Sequence, residues 1–427
     1  MSRPVVGFAG MTHLGLNSAA AAAERGFRVV GFDPELATIE TLRDGAVPVR
    51  EPGLPELLAG NRGRLSFTAK PSDLGGCDLL YVAPDVPTDA VGASDLGPVR
   101  ALVDQVVGHL GPAAVLVVLS QVPPGFTRSL GFPAGRAFYQ VETLVFGRAV
   151  ERALAPERFI LGCADPQAPL PAALAAFLGE FGCPVLPMRY ESAELAKIAI
   201  NMCLVASIAT ANTLAELCER IGADWGEIAP ALRLDRRIGP HAYLAPGLGI
   251  AGGNLERDLH TVCRLADAHG TDAGVVRAWL ANSEHRRDWA LRQVHERVIP
   301  LAPTPTLAVL GLAYKEDTAS TKNSPSLALL ADLAPFAVRV YDPAVRARPE
   351  CHPRLVSTAS ALEACTGAHA LLIMTPWKEF RDLEPAAIAA RLLGRTVIDP
   401  YRVLDGPGCR AASLEHVTLG GPAAGHA

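Results

Sequence analysis

Apolar and polar positions alternate between two rhythms along the chain. Val5–Ala9 is a short apolar run leading into Gly10-Met11-Thr12-His13-Leu14-Gly15. An Ala-rich stretch, Leu16–Arg25, follows with helical spacing, and Gly26 suits its C-cap. Phe27–Phe32 reads as a second strand that ends at Asp33. Strand, Gly turn, helix, strand and terminal acid form the βαβ pattern that takes a dinucleotide. Further strands are expected at Asp78–Ala83, Ala114–Leu119, Ala137–Glu142 and Arg158–Gly162, with a helix over Val99–Leu110. Tyr190–Ile221 then runs without Gly or Pro, its apolar positions recurring at Leu195, Ile198, Met202, Val205, Ile208 and Ala209. At ~1.5 Å per residue this predicts one helix of about 45 Å. More helices are expected over Trp225–Leu232, Leu255 to about Ala268, and Asp272–Val298.

A Pro-rich linker, Leu301–Pro305, precedes a second α/β rhythm. Leu307–Leu310 runs into Gly311-Leu312-Ala313-Tyr314-Lys315. A helix follows Ser324-Pro325 through Leu333, and the strand Val338–Tyr341 closes on Asp342-Pro343. Ala368–Met374 and Thr396–Ile398 are later strands, and Leu419–Ala427 reads as a loose tail. The expected fold is α/β: two Rossmann-like doubly wound domains joined by a long helix and a small all-helical middle domain. The expected boundaries are 1–190, 191–300 and 301–427.

Composition narrows the classes. The 427 residues are 49% hydrophobic and 19% charged, enough to bury a large core. A net charge of −5 without a basic run argues against nucleic acid as a partner. No charged segment leads an apolar one at the N-terminus, and no run of about 18 apolar residues reads as a membrane span. A soluble cytoplasmic protein is expected. The nine Cys are scattered without C-x-x-C spacing, which argues against a metal site or a disulfide framework. Of 39 basic residues only five are Lys, at 70, 197, 315, 322 and 378. Where Arg is the default cation, a retained Lys hints at a need for a compact ammonium.

Candidate chemistry gathers at three places. The first turn reads G-x-T-x-x-G: Gly10 makes the bend, Gly15 lets the helix pack close, and Thr12 stands where pyrophosphate approaches bare backbone. Asp33, 23 residues after Gly10, suits a ribose 2′-hydroxyl and would repel a 2′-phosphate, favouring NAD over NADP. Ligands of such sheets bind beyond the carboxyl ends of strands, which puts Ser120–Thr127 and Glu142 on the cofactor face. Glu194, Lys197 and Asn201 share one face of the long helix, a stripe whose simplest reading is solvated. Pro246–Asp258 (P-G-L-G-I-A-G-G-N-L-E-R-D) is a Gly-rich loop entering a helix, with Gly247, Gly249, Gly252 and Gly253 freeing its backbone to approach a ligand. A tight interdomain turn is the equal alternative for that loop on spacing alone.

Twelve segments in order resemble the UDP-glucose/GDP-mannose dehydrogenase family. They are HLGLNSA (13–19), EPGL (51–54), SQVPPG (120–125), ERFILG (157–162), AELAKIAIN (193–201) and DRRIG (235–239). The series continues with PGLGIAGGNLERD (246–258), GLAYKEDT (311–318), NSP (323–325), YDP (341–343), TPWKEF (375–380) and RVLDG (402–406). The resemblance implies oxidation of a nucleotide-sugar alcohol with two NAD, through a Cys thiohemiacetal and thioester, to a carboxylate. It implies that Lys197 and Asn201 hydrogen-bond the reacting oxygen, Asp258 holds a catalytic water, and Glu142 lies next to the substrate. Gly10, Thr12, Leu14, Gly15, Asp33, Ser120, Phe146 and Lys322 fall at cofactor positions. Gly249, Gly252, Tyr314, Lys315 and Arg402 fall at substrate positions, and Arg237 matches an Arg that reaches the neighbouring subunit's sugar, implying a homodimer.

Four positions depart from the family pattern. Asn254 stands at the nucleophilic Cys, Gln121 at the Thr that shares the catalytic water, Phe146 at a cofactor-facing Glu, and Thr12 at the middle Gly of the phosphate turn. An amide forms no thioester, and Cys263 lies more than two helical turns downstream. The expectation is therefore an NAD-dependent UDP-sugar oxidoreductase that stops at the carbonyl. An epimerase that keeps NAD and returns the hydride, and a non-catalytic sugar-nucleotide binder, are the alternatives.

Overall fold

The computed structural model describes residues 3–89, 92–251 and 253–422. Its chain divides into two compact units, Met1–Ile200 and Asn201–Ala427.

The first unit is built on an eight-stranded sheet of order β3-β2-β1-β4-β5-β6-β7-β8. The strands are β1 Val5–Ala9, β2 Arg28–Phe32, β3 Leu65–Thr68, β4 Leu79–Val82, β5 Val115–Val118, β6 Ala137–Gln140, β7 Phe159–Cys163 and β8 Val185–Arg189. All neighbours are parallel except β6 and β7. Every residue of β4 and β5 is buried, because helices cover both faces of a parallel sheet and leave no polar side. The helix α1, His13–Glu24, buries Ala19 through Ala23 against one face. Small side chains let its axis approach the sheet closely. The chain order reverses beside β1, so the carboxyl ends of β1 and β4 form the crevice where such sheets take ligands.

The long helix α2 spans Tyr190–Ile221, the bounds set by the stretch free of Gly and Pro. By length and apolarity alone it would cross a membrane, with a mean hydropathy of 1.6 over its most apolar window. Its buried residues identify it as a core helix: Ala193, Ile198, Val205, Ala211, Ala215 and Cys218 all pack inside the protein. Its polar stripe is not solvated. The Glu194 carboxylate is fully buried and accepts the backbone N–H groups of Gly125 at 2.5 Å and Thr127 at 2.8 Å. That pair of bonds ties the loop after β5 to α2.

The second unit holds the helices α3 Trp225–Leu234, α4 Asn254–His269 and α5 Gly274–Arg287, then a six-stranded parallel sheet. Its strands are β9 Thr306–Leu310, β10 Ala337–Tyr341, β11 Leu355–Ser357, β12 Ala370–Ile373, β13 Thr396–Ile398 and β14 Glu415–Val417, in the order β11-β10-β9-β12-β13-β14. The single helix expected over Asp272–Val298 is broken at Asp288, beyond which come Trp289–Gln293 and a π turn over Val294–Val298. The break turns Trp289 inward, where its indole N–H donates to Glu219 at 2.9 Å. The tail expected to be loose is also fixed at its start. Leu419 is buried, the Gly420 N–H donates to Glu219 at 2.9 Å, and the Gly420 carbonyl accepts Trp225 N–H at 2.9 Å.

Candidate functional site

In the first unit the phosphate turn is shaped by close backbone contact. Gly10 has φ +95°, and a Cβ there would lie 2.7 Å from Pro84 N. A Cβ on Gly15 would lie 1.9 Å from the Gly10 carbonyl oxygen, so only glycine fits both places. Asp33 sits at the end of β2. One of its oxygens accepts Met11 N–H at 2.7 Å and the other accepts Glu35 N–H at 3.0 Å. This clamps the turn against β2 while leaving carboxylate lone pairs for a ribose hydroxyl. Thr12 turns its hydroxyl onto the Ala83 carbonyl at 3.1 Å, away from the bare backbone of the turn. A glycine cradle with an acid at the second strand's end therefore fits NAD. Leu14 is buried in the core, leaving its backbone as what it offers a cofactor. Ser120 is buried and donates to Pro84 O at 2.5 Å, closing the ends of β4 and β5 together.

Beyond β6, Glu142 accepts Leu144 N–H at 2.6 Å through one oxygen and pairs with Lys197 Nζ at 3.2 Å through the other. Both side chains are mostly buried, at 17% and 12% exposure, so the pair has little water to screen it. Gln121 is half-buried at the carboxyl end of β5. Phe146 is exposed and lies over His13 with ring centroids 4.2 Å apart.

Two residues here were not singled out for chemistry from sequence. His13 Nε2 lies 2.8 Å from Glu51, and the buried Glu51 carboxylate also accepts Gly147 N–H at 3.0 Å and Ala149 N–H at 2.8 Å. Glu51 thus fixes the segment carrying Phe146 beside the phosphate turn. The only sequence signal was its place in EPGL.

In the second unit Asn201 and Asp258 come together. The Asn201 amide donates to Asp258 Oδ2 at 2.5 Å, and both residues are buried. Arg257, also buried, donates through Nε to Asp258 Oδ1 at 3.3 Å. A carboxylate in this setting is satisfied by a guanidinium and an amide rather than by bulk water. Asn254 is the first residue of α4 and is exposed. One helical turn separates it from Asp258, so the two share a face. Glu256 pairs with Arg287 at 3.0 Å and accepts the Asn323 amide; burial pushes its carboxyl above the usual range.

The remaining candidates are dispersed. Gly249 has φ +73°, and its absent Cβ would meet Ser283 O at 2.3 Å, so the neighbouring α5 demands this glycine. Gly252 lies outside the described residues. The Lys315 ammonium sits 5.7 Å from the centroid of the Tyr314 ring, and Lys322 is exposed. Arg402 has φ +53° and donates to Asp224 at 2.6 Å. The Arg237 side chain is 89% exposed, held by Asp235 at 2.6 Å. Among the described residues no group of three or more His, Cys, Asp and Glu side chains is placed to hold a metal ion.

Comparison with known proteins follows the same order of domains. Residues 5–176 match the NAD binding domain of the UDP-glucose/GDP-mannose dehydrogenase family, residues 191–284 its central domain, and residues 308–406 its UDP binding domain. The UDP-glucose 6-dehydrogenase TuaD of Bacillus subtilis is 30% identical, over 97% of this chain and 92% of that protein. A UDP-glucose 6-dehydrogenase of Pseudomonas aeruginosa is 31% identical, over 98% of this chain and 97% of its own. The solved structure of a UDP-glucose dehydrogenase from the hyperthermophilic archaeon Pyrobaculum islandicum superposes with a TM-score of 0.84 at 26% identity, covering 98% of each chain.

Proposed function

The chain belongs to the UDP-glucose/GDP-mannose dehydrogenase family, and from that premise we propose that it oxidises one alcohol carbon of a UDP-sugar to a carbonyl and releases the product at that stage. NAD, when bound, supplies the hydride acceptor. The substrate C–H yields the hydride, the hydroxyl yields a proton, and an alcohol becomes a carbonyl in one two-electron step. Lys197 and Asn201, one turn apart on α2, are the donors for the alkoxide charge that develops as the proton leaves. Glu142 holds the Lys197 ammonium in place, and Asp258 orients the Asn201 amide.

The observation that carries the early stop is Asn254. It heads α4 on the face of Asp258 and presents an amide, which cannot capture an aldehyde covalently. Cys263 lies nine residues further along the same helix, about 13.5 Å at its rise per residue, too far to take that place. The same reading assigns residues 1–190 to NAD, 191–300 to a central helical domain and 301–427 to UDP. It makes the protein a cytoplasmic homodimer that covers the exposed Leu214, Leu217 and Ile221 of α2. A monomer in sedimentation would contradict that assembly.

The test is turnover of UDP-sugars with NAD in the presence of hydroxylamine. The expected result is one NADH for each trapped carbonyl, with Lys197→Ala slower by roughly 10²–10³-fold. A carboxylate product refutes the early stop. An isomerised sugar without net NADH identifies a hydride-returning isomerase, and tight binding without turnover identifies a non-catalytic binder.

A further inference from the structure

The second sheet has a cavity at its edge, away from the crevice where such sheets take ligands. The strand order reverses beside β9, so that crevice lies at the carboxyl ends of β9 and β12. The strand β14 is the sheet's outer edge, beyond β13. Along it runs a cavity of about 560 Å³, lined by β14, the last turn of α2, the π turn and the short helix Gly406–Ala411. That volume suits a small molecule. Most of the charge on its walls is already neutralised. Arg220 pairs with Glu296 at 3.4 Å, Arg402 with Asp224 at 2.6 Å, and Arg297 with Glu415.

Two lining groups are left over. Arg410 is exposed and enters no ion pair among the described residues. The His416 side chain is only 10% exposed, and its Nε2 lies 3.0 Å from the buried Asp399 carboxylate. The same Asp399 oxygen accepts Leu404 N–H at 2.9 Å, so the imidazole is fixed from behind and Nδ1 is its remaining polar atom. A Cβ on Gly406 would lie 3.7 Å from His416 Nδ1 and 3.8 Å from Arg410 Nη1. The two nitrogens therefore converge above Gly406, and the missing side chain leaves the space between them open. The adjoining acid, Asp405, is used as a cap and accepts Gly408 N–H at 2.8 Å.

We propose that this cavity binds a phosphate-bearing small molecule, its phosphate bridging Arg410 and His416. A guanidinium and an imidazole approaching one point from two elements suit a tetrahedral anion, which offers oxygens in both directions. A planar carboxylate is matched by a single guanidinium fork and leaves the imidazole unused. As an imidazolium His416 donates from both nitrogens, one to Asp399 and one to the phosphate. The site stands on the second unit alone and is independent of the reaction at Lys197 and Asn201.

Isothermal titration of the full chain with inorganic phosphate, in a zwitterionic buffer, tests this. The wild type is expected to bind phosphate, and to bind it equally well with UDP and NAD present at saturation. Arg402 borders the same cavity, so UDP is the competitor that decides whether the site is separate. Arg410→Gln removes the cation from an exposed position. Gly406→Ala puts a methyl group between the two nitrogens at ordinary contact distances, on a backbone without a positive φ. Each variant is expected to bind phosphate about tenfold more weakly, with an unchanged thermal midpoint. The proposal is overturned if the wild type binds no phosphate, if UDP displaces it, or if either variant binds it as tightly as the wild type.

Discussion

The chain contains the same local arrangement twice, and the two copies are used differently. In each, a strand ends in a Gly turn and the next strand ends in Asp-Pro: Gly10 with Asp33-Pro34, and Gly311 with Asp342-Pro343. Both glycines have positive φ, +95° and +94°. Asp33 accepts two backbone N–H groups and keeps free lone pairs. Asp342 is saturated. It accepts Leu312 N–H at 2.6 Å and Ala313 N–H at 3.0 Å on one oxygen, and Ala344 N–H at 2.7 Å and Val345 N–H at 2.8 Å on the other. The Trp377 indole adds a fifth donor at 3.1 Å. One acid has capacity left for a ribose, whereas the other is a structural tie that holds its turn. A Gly turn followed by a distant Asp therefore says that a βαβ unit exists, and the saturation of the acid says whether it still takes a dinucleotide.

The largest effect that would test this contrast is in the second copy. Asp342→Ala leaves four backbone N–H groups and an indole without their acceptor. It should destabilise the protein by about 3 kcal/mol, read as a lowered urea midpoint for the second unit, with NAD affinity unchanged. Asp33→Ala should do the reverse. NAD titration is expected to show about a tenfold loss of affinity, and the stability read from urea unfolding should fall by about 1 kcal/mol or less. Equal losses of stability in the two variants would erase the distinction. The smallest effect concerns Thr12, which is the N-cap of α1 but makes no side-chain capping bond. Thr12→Gly should change stability by only a few tenths of a kcal/mol, a shift of the thermal midpoint near the limit of detection. A large drop would mean that its bond to Ala83 O carries the turn.

Local rhythm made much of this architecture legible before any coordinates. The bounds of α2 follow from the absence of Gly and Pro between Tyr190 and Ile221, and the buried strands from their unbroken apolar runs. What stayed hidden depends on partners distant in sequence. Glu194 looked like one member of a wet stripe because nothing local shows that Gly125 and Thr127 lie over it. Gly420 looked like part of a tail because its partners, Trp225 and Glu219, are about 200 residues away, a separation no hydrophobic period encodes. Gly249 reads from sequence as a freed backbone position, and the contact that demands glycine there, Ser283 of α5 on its Cβ side, is visible only in three dimensions. In the candidate site the residue types were legible and the pairings were not. Lys197 with Glu142, and Asn201 with Asp258, join groups 55 and 57 positions apart.

In the proposed reaction those pairings keep the donors for one oxidation, and Asn254 withholds the nucleophile for a second. The most direct measurement is complete conversion of a limiting UDP-sugar with excess NAD, counting NADH and weighing the product by mass spectrometry. One NADH per sugar and a product two hydrogens lighter is the predicted result. Two NADH per sugar and a product that has gained an oxygen would contradict it.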